Sequence, residues 1–284
     1  MAATDFPISP YGVRVPRIIY GTAWKKDRTQ ALVAKALQLG FRGIDTAGQP
    51  KHYHEPGVGA GIAESLDESF TRADLYLQTK FTSLSGQDPS RVPYDANASL
   101  GEQVVQSFES SLRSLQTDYV DCLVLHSPMR NTDDLAEVWH AMERLFDAGG
   151  AKQLGISNCS DPNYLDQLYR SFRVKPAVVQ NRFYADTNYD SEIRTLCKQH
   201  EIIYQSIWTL TANPHILSHK TTKALASKYA RTCAQIFFRY LTQIDVVPLT
   251  GTTSETHMLE DLEIFEFELT ENECHAMDAL LRSV

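Results

Sequence analysis

Short apolar runs alternate with longer stretches whose apolar residues recur every three or four positions, and the alternation repeats along the whole chain. A short all-apolar run reads as a strand buried on both faces, and a three-to-four spacing reads as a helix with one buried stripe. On that basis strands are predicted over 15–20, 42–45, 75–80, 120–126, 151–157, 177–180, 202–206 and 245–249. Helices are predicted over 27–39, 58–66, 99–115, 133–148, 162–172, 191–200, 220–230, 233–242, 255–260 and 271–281. In the third helix Val104, Val105, Phe108, Leu112 and Leu115 fall on one side. Gly40 stops the first helix, and Gly149-Gly150 closes the fourth, which acidic residues open as the helix dipole prefers. Eight strands, each followed by helix, describe an α/β fold of the (β/α)8 TIM-barrel type, closed by right-handed crossovers. No linker-like stretch interrupts the pattern, so residues 1–284 are expected to form one domain, with a hairpin ahead of strand one covering the barrel bottom.

Barrels of this kind carry their chemistry on the loops at the C-terminal strand ends. Strand one ends in Gly21-Thr22-Ala23-Trp24. Strand two ends in Asp45, and its loop crowds Lys51, His52, Tyr53, His54 and Glu55 together. Strands three to seven end in Lys80, His126, Ser157-Asn158, Gln180 and Gln205-Ser206, and strand eight runs into 248–253. Any one of these could be a structural residue with a buried partner, but Asp, Lys and His on three consecutive strand ends point to one site. The pair His52 and His54 with Glu55 would suit a metal, yet such a site needs further ligands. Strands five, six and eight offer Ser157, Asn158, Gln180 and Thr250 instead. No metal is expected, and His54 and Glu55 read as a solvated loop capping the helix beyond Pro56.

Composition narrows the class. With 284 residues, 43% of them hydrophobic, the chain can bury a large core. A net charge of −8 gives no support for nucleic acid or an anionic membrane as partner. No apolar run approaches the roughly 20 residues of a membrane span, and no signal pattern opens the chain. The five cysteines (Cys122, Cys159, Cys197, Cys233, Cys274) are scattered, as expected for core thiols in a reducing, cytoplasmic setting.

The ordered set Gly21-Thr22-Ala23-Trp24, Gly40-Phe41-Arg42-Gly43-Ile44-Asp45-Thr46-Ala47, Thr79-Lys80, Leu125-His126-Ser127-Pro128, Gly155-Ile156-Ser157-Asn158 and Val179-Gln180-Asn181 resembles the aldo-keto reductases. It is most similar to fungal-type members whose second loop reads Gln-Pro-Lys-His-Tyr, here Gln49 to Tyr53. The resemblance implies reduction of an aldehyde or ketone with NADPH by a tetrad mapping onto Asp45, Tyr53, Lys80 and His126. Hydride transfer to a carbonyl leaves an alkoxide that needs a proton and electrostatic support. Tyr53 would give the proton, Lys80 would lower the phenol's pKa, Asp45 would hold Lys80 charged, and His126 would orient the substrate oxygen. The loop departs from the commoner spacing: counting forward from Asp45 lands on Pro50, and counting back from Val58-Gly59 lands on His52. Tyr53, the loop's one phenol, is taken as the acid, with His52 as the alternative.

For the cofactor, the resemblance assigns Thr22, Asp45, Ser157, Asn158, Gln180, Gln205, Ser206, Ile207, Trp208 and Leu210 around the nicotinamide end. It assigns Gly251, Thr252, Thr253, His257, Glu260 and Asp261 to the phosphate and adenine end. Leu249 and His257 stand where the family commonly has the Lys and Arg that grip a 2′-phosphate, so NADH is admitted beside NADPH. Ile207 occupies the usual aromatic slot over the nicotinamide, with Trp208 beside it. Trp24, Tyr53, His126 and Trp208 are the expected substrate contacts, with the polar loop 82–97 as a further wall, around a small-molecule carbonyl. The chain ends soon after its last helix, which suggests an open pocket, and both a monomer and a dimer are compatible with it. The second reading is a reductase-like barrel kept as a cofactor-binding regulatory or protein-interaction subunit, against which the complete tetrad weighs.

Overall fold

Eight short parallel strands close into a cylinder in chain order, the last pairing with the first, in a computed structural model that describes residues 6–282. They are β1 (Ile19–Gly21), β2 (Gly43–Asp45), β3 (Tyr76–Phe81), β4 (Cys122–Leu125), β5 (Leu154–Ser157), β6 (Pro176–Arg182), β7 (Ile203–Ile207) and β8 (Val246–Thr250). The helices around them are α1 (Thr29–Leu39), α2 (Glu55–Ser65), α3 (Leu100–Leu115), α4 (Thr132–Asp147), α5 (Pro162–Ser171) and α6 (Ser191–Gln199). After β7 come α7 (Pro214–Ser218), α8 (Lys220–Tyr229) and α9 (Cys233–Gln243), and after β8 come α10 (Glu255–Leu262) and α11 (Glu271–Leu281). The architecture is the (β/α)8 barrel that the alternation predicts. No described helix is long and apolar enough to cross a membrane.

Successive strand residues face opposite ways, so each strand feeds two cores. Val124, Val178, Ile203, Val247 and Leu249 belong to the inner cluster with Val13 and Val15. Leu77, Leu123, Leu125, Ile156 and Val179 belong to the larger layer under the helices. Among the inner positions Asp45, Gln78, Lys80, Gln180 and Gln205 break the apolar rule, and all are buried. Gln78 of β3 reaches Gln205 of β7 across the barrel, Nε2 to Oε1 at 2.9 Å. Polar groups at such depth are tolerated only when hydrogen-bonded, and these are bonded to one another.

Several boundaries shift by one to four residues from the sequence pattern, and two of these shifts and one added helix have a plain local reason. Strand one begins at Ile19 rather than at 15, because Pro16 has no N–H and the Val15 N–H donates to Pro7 O at 2.9 Å. The segment before it is the expected hairpin: Ile8 bridges Arg14 antiparallel, and Gly12 turns with φ 75°. Its residues 1–5, like 283 and 284 at the other end, lie outside the described residues. Helix α2 starts three residues early, at Glu55, since Pro56 sits in the first turn where its missing N–H costs nothing. Helix α7, five residues long, is too short to show a period and has no counterpart in the pattern.

Candidate active site

Register brings the first two groups together. Asp45 ends β2 opposite Gln78, and Lys80 lies two residues further along β3 on the same inward face. Lys80 Nζ donates to both oxygens of Asp45 at 2.7 Å and to Thr46 O at 2.8 Å. Asp45 Oδ1 also accepts from Gln78 Nε2 at 2.7 Å and Gln180 Nε2 at 2.9 Å. Burial alone would push the Lys80 pKa down, but the Asp45 carboxylate and the Tyr53 oxygen reverse this and leave it raised. Such a buried pair is weak evidence of stability but strong evidence of a charge held in place.

The loop after β2 then turns tightly. Gln49 O accepts both the His52 N–H (3.1 Å) and the Tyr53 N–H (3.0 Å), which points consecutive side chains in different directions. The His52 ring lies against Trp24, centroids 3.9 Å apart. Tyr53 turns inward, with Lys80 Nζ 5.2 Å from its ring centroid and the His126 ring edge-on at 6.0 Å. The geometry thus unites Asp45, Tyr53, Lys80 and His126, with His52 on the rim. Burial pushes the Tyr53 pKa up, Lys80 pulls it back and Asp45 raises it again, and the net direction is upward. The lowering expected from Lys80 is therefore present but outweighed, because the phenol is desolvated, and Tyr53 holds its proton at neutral pH.

Glu55 corrects the expectation of a solvated capping loop. It is buried, accepting from Thr79 Oγ1 at 2.5 Å and Ser111 Oγ at 2.7 Å, and burial raises its pKa. Its carboxyl ties the start of α2 to β3 and α3. Among the described residues no group of three or more His, Cys, Asp or Glu is arranged to hold a metal.

His126, at the end of β4, is pushed down to about 3 by burial, by the Lys80 ammonium and by His52, so it is a neutral imidazole. Its Nδ1 lies 2.6 Å from Thr82 Oγ1. Asn158, in the left-handed region (φ 54°), donates from Nδ2 to His126 O at 2.8 Å.

A cavity of about 620 Å³ opens beside Tyr53 and Asp45 and runs past the β7 loop to α10. Of the positions assigned to a cofactor, Asp45, Ile207, Trp208, Leu210, Gly251, Thr252, His257, Glu260 and Asp261 line it. Trp24 lines it too, and both tryptophans are exposed, at 61% and 54%. Thr22, Gln205 and Ser206 lie buried in the wall: Thr22 Oγ1 donates to Asp45 O (2.8 Å), Gln205 bonds Gln78 and Gln180, and Ser206 meets Thr209. Ser157 Oγ donates to Gln180 O at 2.6 Å, and the Gln180 amide nitrogen is taken by Asp45 and Gln205, both interactions holding these side chains in place. Thr253 sits in the turn before α10, whose cap is Ser254. The polar loop over 82–97 is pinned down by Gln87 and Tyr94, which donate to the Thr82 carbonyl.

Lys25 is the functional candidate that sequence reasoning passed over. It is 6% exposed, lines the cavity and donates from Nζ to Gly251 O. Among the described residues no carboxylate pairs with it, and burial, then Arg28, pushes its pKa down. A β-carbon on Gly251 would stand 3.5 Å from its Nζ. A buried cation without an anion fits a phosphate group. The signal was the Lys25-Lys26 pair directly after the Gly-Thr-Ala-Trp strand end. Asp261 faces the same space: burial, with Glu260, lifts it to about 7 against a hydrogen bond from Thr250 Oγ1 at 2.6 Å. A second hollow, about 670 Å³, opens near the N-terminal hairpin by Tyr11, Arg42 and Lys152 and holds none of the strand-end residues.

The profile of the Aldo/keto reductase family matches residues 17–213. An uncharacterized oxidoreductase, YtbE, of Bacillus subtilis (strain 168) is 30% identical over 95% of this chain and 90% of its own length. Glyoxal reductase of the same strain is 29% identical over the same shares. Prostaglandin F synthase 1 of Bos taurus is 27% identical over 95% of this chain and 89% of its own. The crystal structure of an aldo/keto reductase from Brucella melitensis superposes with a TM-score of 0.82 at 28% identity, over 97% of this chain and 99% of that one.

Proposed function

Since the chain belongs to the aldo/keto reductase family and is an NAD(P)H-dependent oxidoreductase acting on carbonyl groups, we propose that it reduces small aldehydes or ketones with NADPH, using Tyr53 as general acid. The observation that carries this reading is Lys80, held 2.7 Å from both Asp45 oxygens and 5.2 Å from the Tyr53 ring centroid. When bound, the cofactor supplies the hydride. Lys25, Gly251 and Thr252 would hold its phosphates. Ser157, Asn158 and Gln180 would meet the carboxamide, with Ile207, on the inward face of β7, against the ring.

The carbonyl oxygen would sit between the Tyr53 hydroxyl and the His126 ring. Tyr53 releases its proton to that oxygen as negative charge grows there, and the Lys80 ammonium supports the phenolate left behind. Asp45 keeps Lys80 charged in a site whose burial would otherwise strip its proton. Trp24 and Trp208 would shield the reacting carbonyl from water. A relative named glyoxal reductase supports a small carbonyl compound as substrate.

The test separates the acid from its neighbour. Tyr53→Phe removes only the phenolic oxygen, and carbonyl reduction should fall by about 10² or more while NADPH binding, followed by cofactor fluorescence, changes little. Lys80→Met should give a similar loss, and His52→Ala should keep most turnover. An active Tyr53→Phe beside a dead His52→Ala would move the acid to His52. Activity in both would show that neither side chain supplies the proton, whereas cofactor binding without turnover in the wild type would favour the cofactor-binding regulatory subunit instead.

A further inference from the structure

A neutral imidazole carries its proton on one ring nitrogen only, and the other is a bare acceptor. His126 places Nδ1 2.6 Å from Thr82 Oγ1, and its Nε2 has no hydrogen-bond partner among the described residues. Two proton arrangements fit that distance. Thr82 Oγ1 has no second partner among the described residues, and the residue is 4% exposed. If Nδ1–H were the donor, the threonine proton would be buried with nothing to accept it, a loss of about 1–3 kcal/mol. If Thr82 is the donor, its proton is placed on Nδ1 and the imidazole proton lies on Nε2, the nitrogen left free to meet the substrate oxygen.

Thr82 is itself clamped in the orientation this needs. Its carbonyl accepts from Gln87 Nε2 at 3.1 Å and from the Tyr94 hydroxyl at 2.7 Å. Its methyl packs so closely on Gly86 that a β-carbon there would stand 2.7 Å from Cγ2. With the backbone held and the methyl seated, the staggered wells available to a β-branched side chain leave the hydroxyl aimed at His126. The loop over 82–97 thus acts from behind the site, through one hydroxyl.

We propose that Thr82 is a positioning residue: by donating to Nδ1 it holds His126 in the Nε2-protonated tautomer, so the site offers the substrate oxygen a donor and not a lone pair. A lone pair there would repel the oxygen as negative charge develops, whereas an N–H stabilises it. The inference deepens the carbonyl-reductase reading and rests on it.

The two nitrogens are told apart by two-bond proton–nitrogen NMR of protein carrying 15N-histidine. Wild type and Thr82→Ser should both show the proton on Nε2. Thr82→Val, equal in shape but lacking the hydroxyl, should lose or mix that signature. Its kcat should fall about tenfold, as for one lost hydrogen bond, with NADPH affinity unmoved, and Thr82→Ser should restore it. A wild-type spectrum with the proton on Nδ1, or a Thr82→Val enzyme with unchanged spectrum and kcat, would overturn the proposal. Absence of carbonyl turnover in the wild type would instead overturn the reductase reading, and the spectrum, which needs no turnover, would still decide for or against Thr82.

Discussion

A carboxylate, a lysine and a histidine at three successive strand ends were legible because strand ends in a barrel converge, whatever lies between them. Tyr53 was legible only as a choice, since the turn about Gln49 that separates it from His52 depends on two hydrogen bonds to one carbonyl. Lys25 was not legible, because its value lies in having no carboxylate beside it, which is a fact of three dimensions. Lys25→Met should weaken NADPH by about 2 kcal/mol, some thirtyfold in Kd, the scale of a charge-assisted hydrogen bond. NADH should lose less if the partner is the 2′-phosphate, and titrating both cofactors checks it: equal losses would put Lys25 on the diphosphate. Asp261 gives a pH-dependent counterpart. Its value in the fold, about 7, lies above the ordinary 3.8, so the stability tied to its neutral form is complete below 3.8 and is lost as pH rises through 7. Asp261→Asn should therefore stabilise the protein at pH 8 relative to pH 4, by up to about 4 kcal/mol, read from urea midpoints. A gain that does not change between those pH values would show that the carboxyl is not the cause.

Helix α2 carries the loop that presents Tyr53, so its seat matters as much as its residues. Two glycines let it lie between its neighbours. A β-carbon on Gly59 would stand 2.2 Å from Ser114 O, and one on Gly61 would stand 2.6 Å from Gln30 O. Both obstacles are backbone, which cannot swing aside. Gly59→Ala should cost about 1–3 kcal/mol, as overpacking does, and lower the urea midpoint without changing its slope. Because α2 must then shift against α3, the Glu55 contact with Ser111 and the position of Tyr53 should suffer too, so kcat should drop at temperatures where the fold survives. The pattern of apolar residues located α2 but not its beginning or its bonds. Pro56 looks like a break when it is a first-turn residue, and the partners of Glu55 lie 24 and 56 residues away. Local spacing cannot report such distances, which is why a buried anchor looked like a solvated carboxylate. The long helices and apolar strands, by contrast, were legible because each is specified within its own window.

Closure is a property of the whole chain. Every strand of the barrel has two neighbours, and β1 is paired with β8 (Ile19 with Leu249, Tyr20 with Thr250), so losing either end opens two edges at once. The inner cluster draws on Val13, Tyr76, Val124, Val178 and Val247 together, residues from the hairpin and four strands spread along the chain. We infer that residues 6–282 behave as one cooperative domain. Tryptophan fluorescence and far-UV circular dichroism should then give one midpoint in urea, although Trp139 is fully buried and Trp24 and Trp208 are exposed at the cavity. Ligand linkage sharpens the test. NADPH at one hundred times its Kd should add about 2.7 kcal/mol to the unfolding free energy, and in a single unit both signals must move together by that amount. If the barrel were two units joined at the cavity, the buried and exposed tryptophans would part from the dichroism, and only the half that grips the phosphates would respond to cofactor. Coincident shifts of both probes are the expected result.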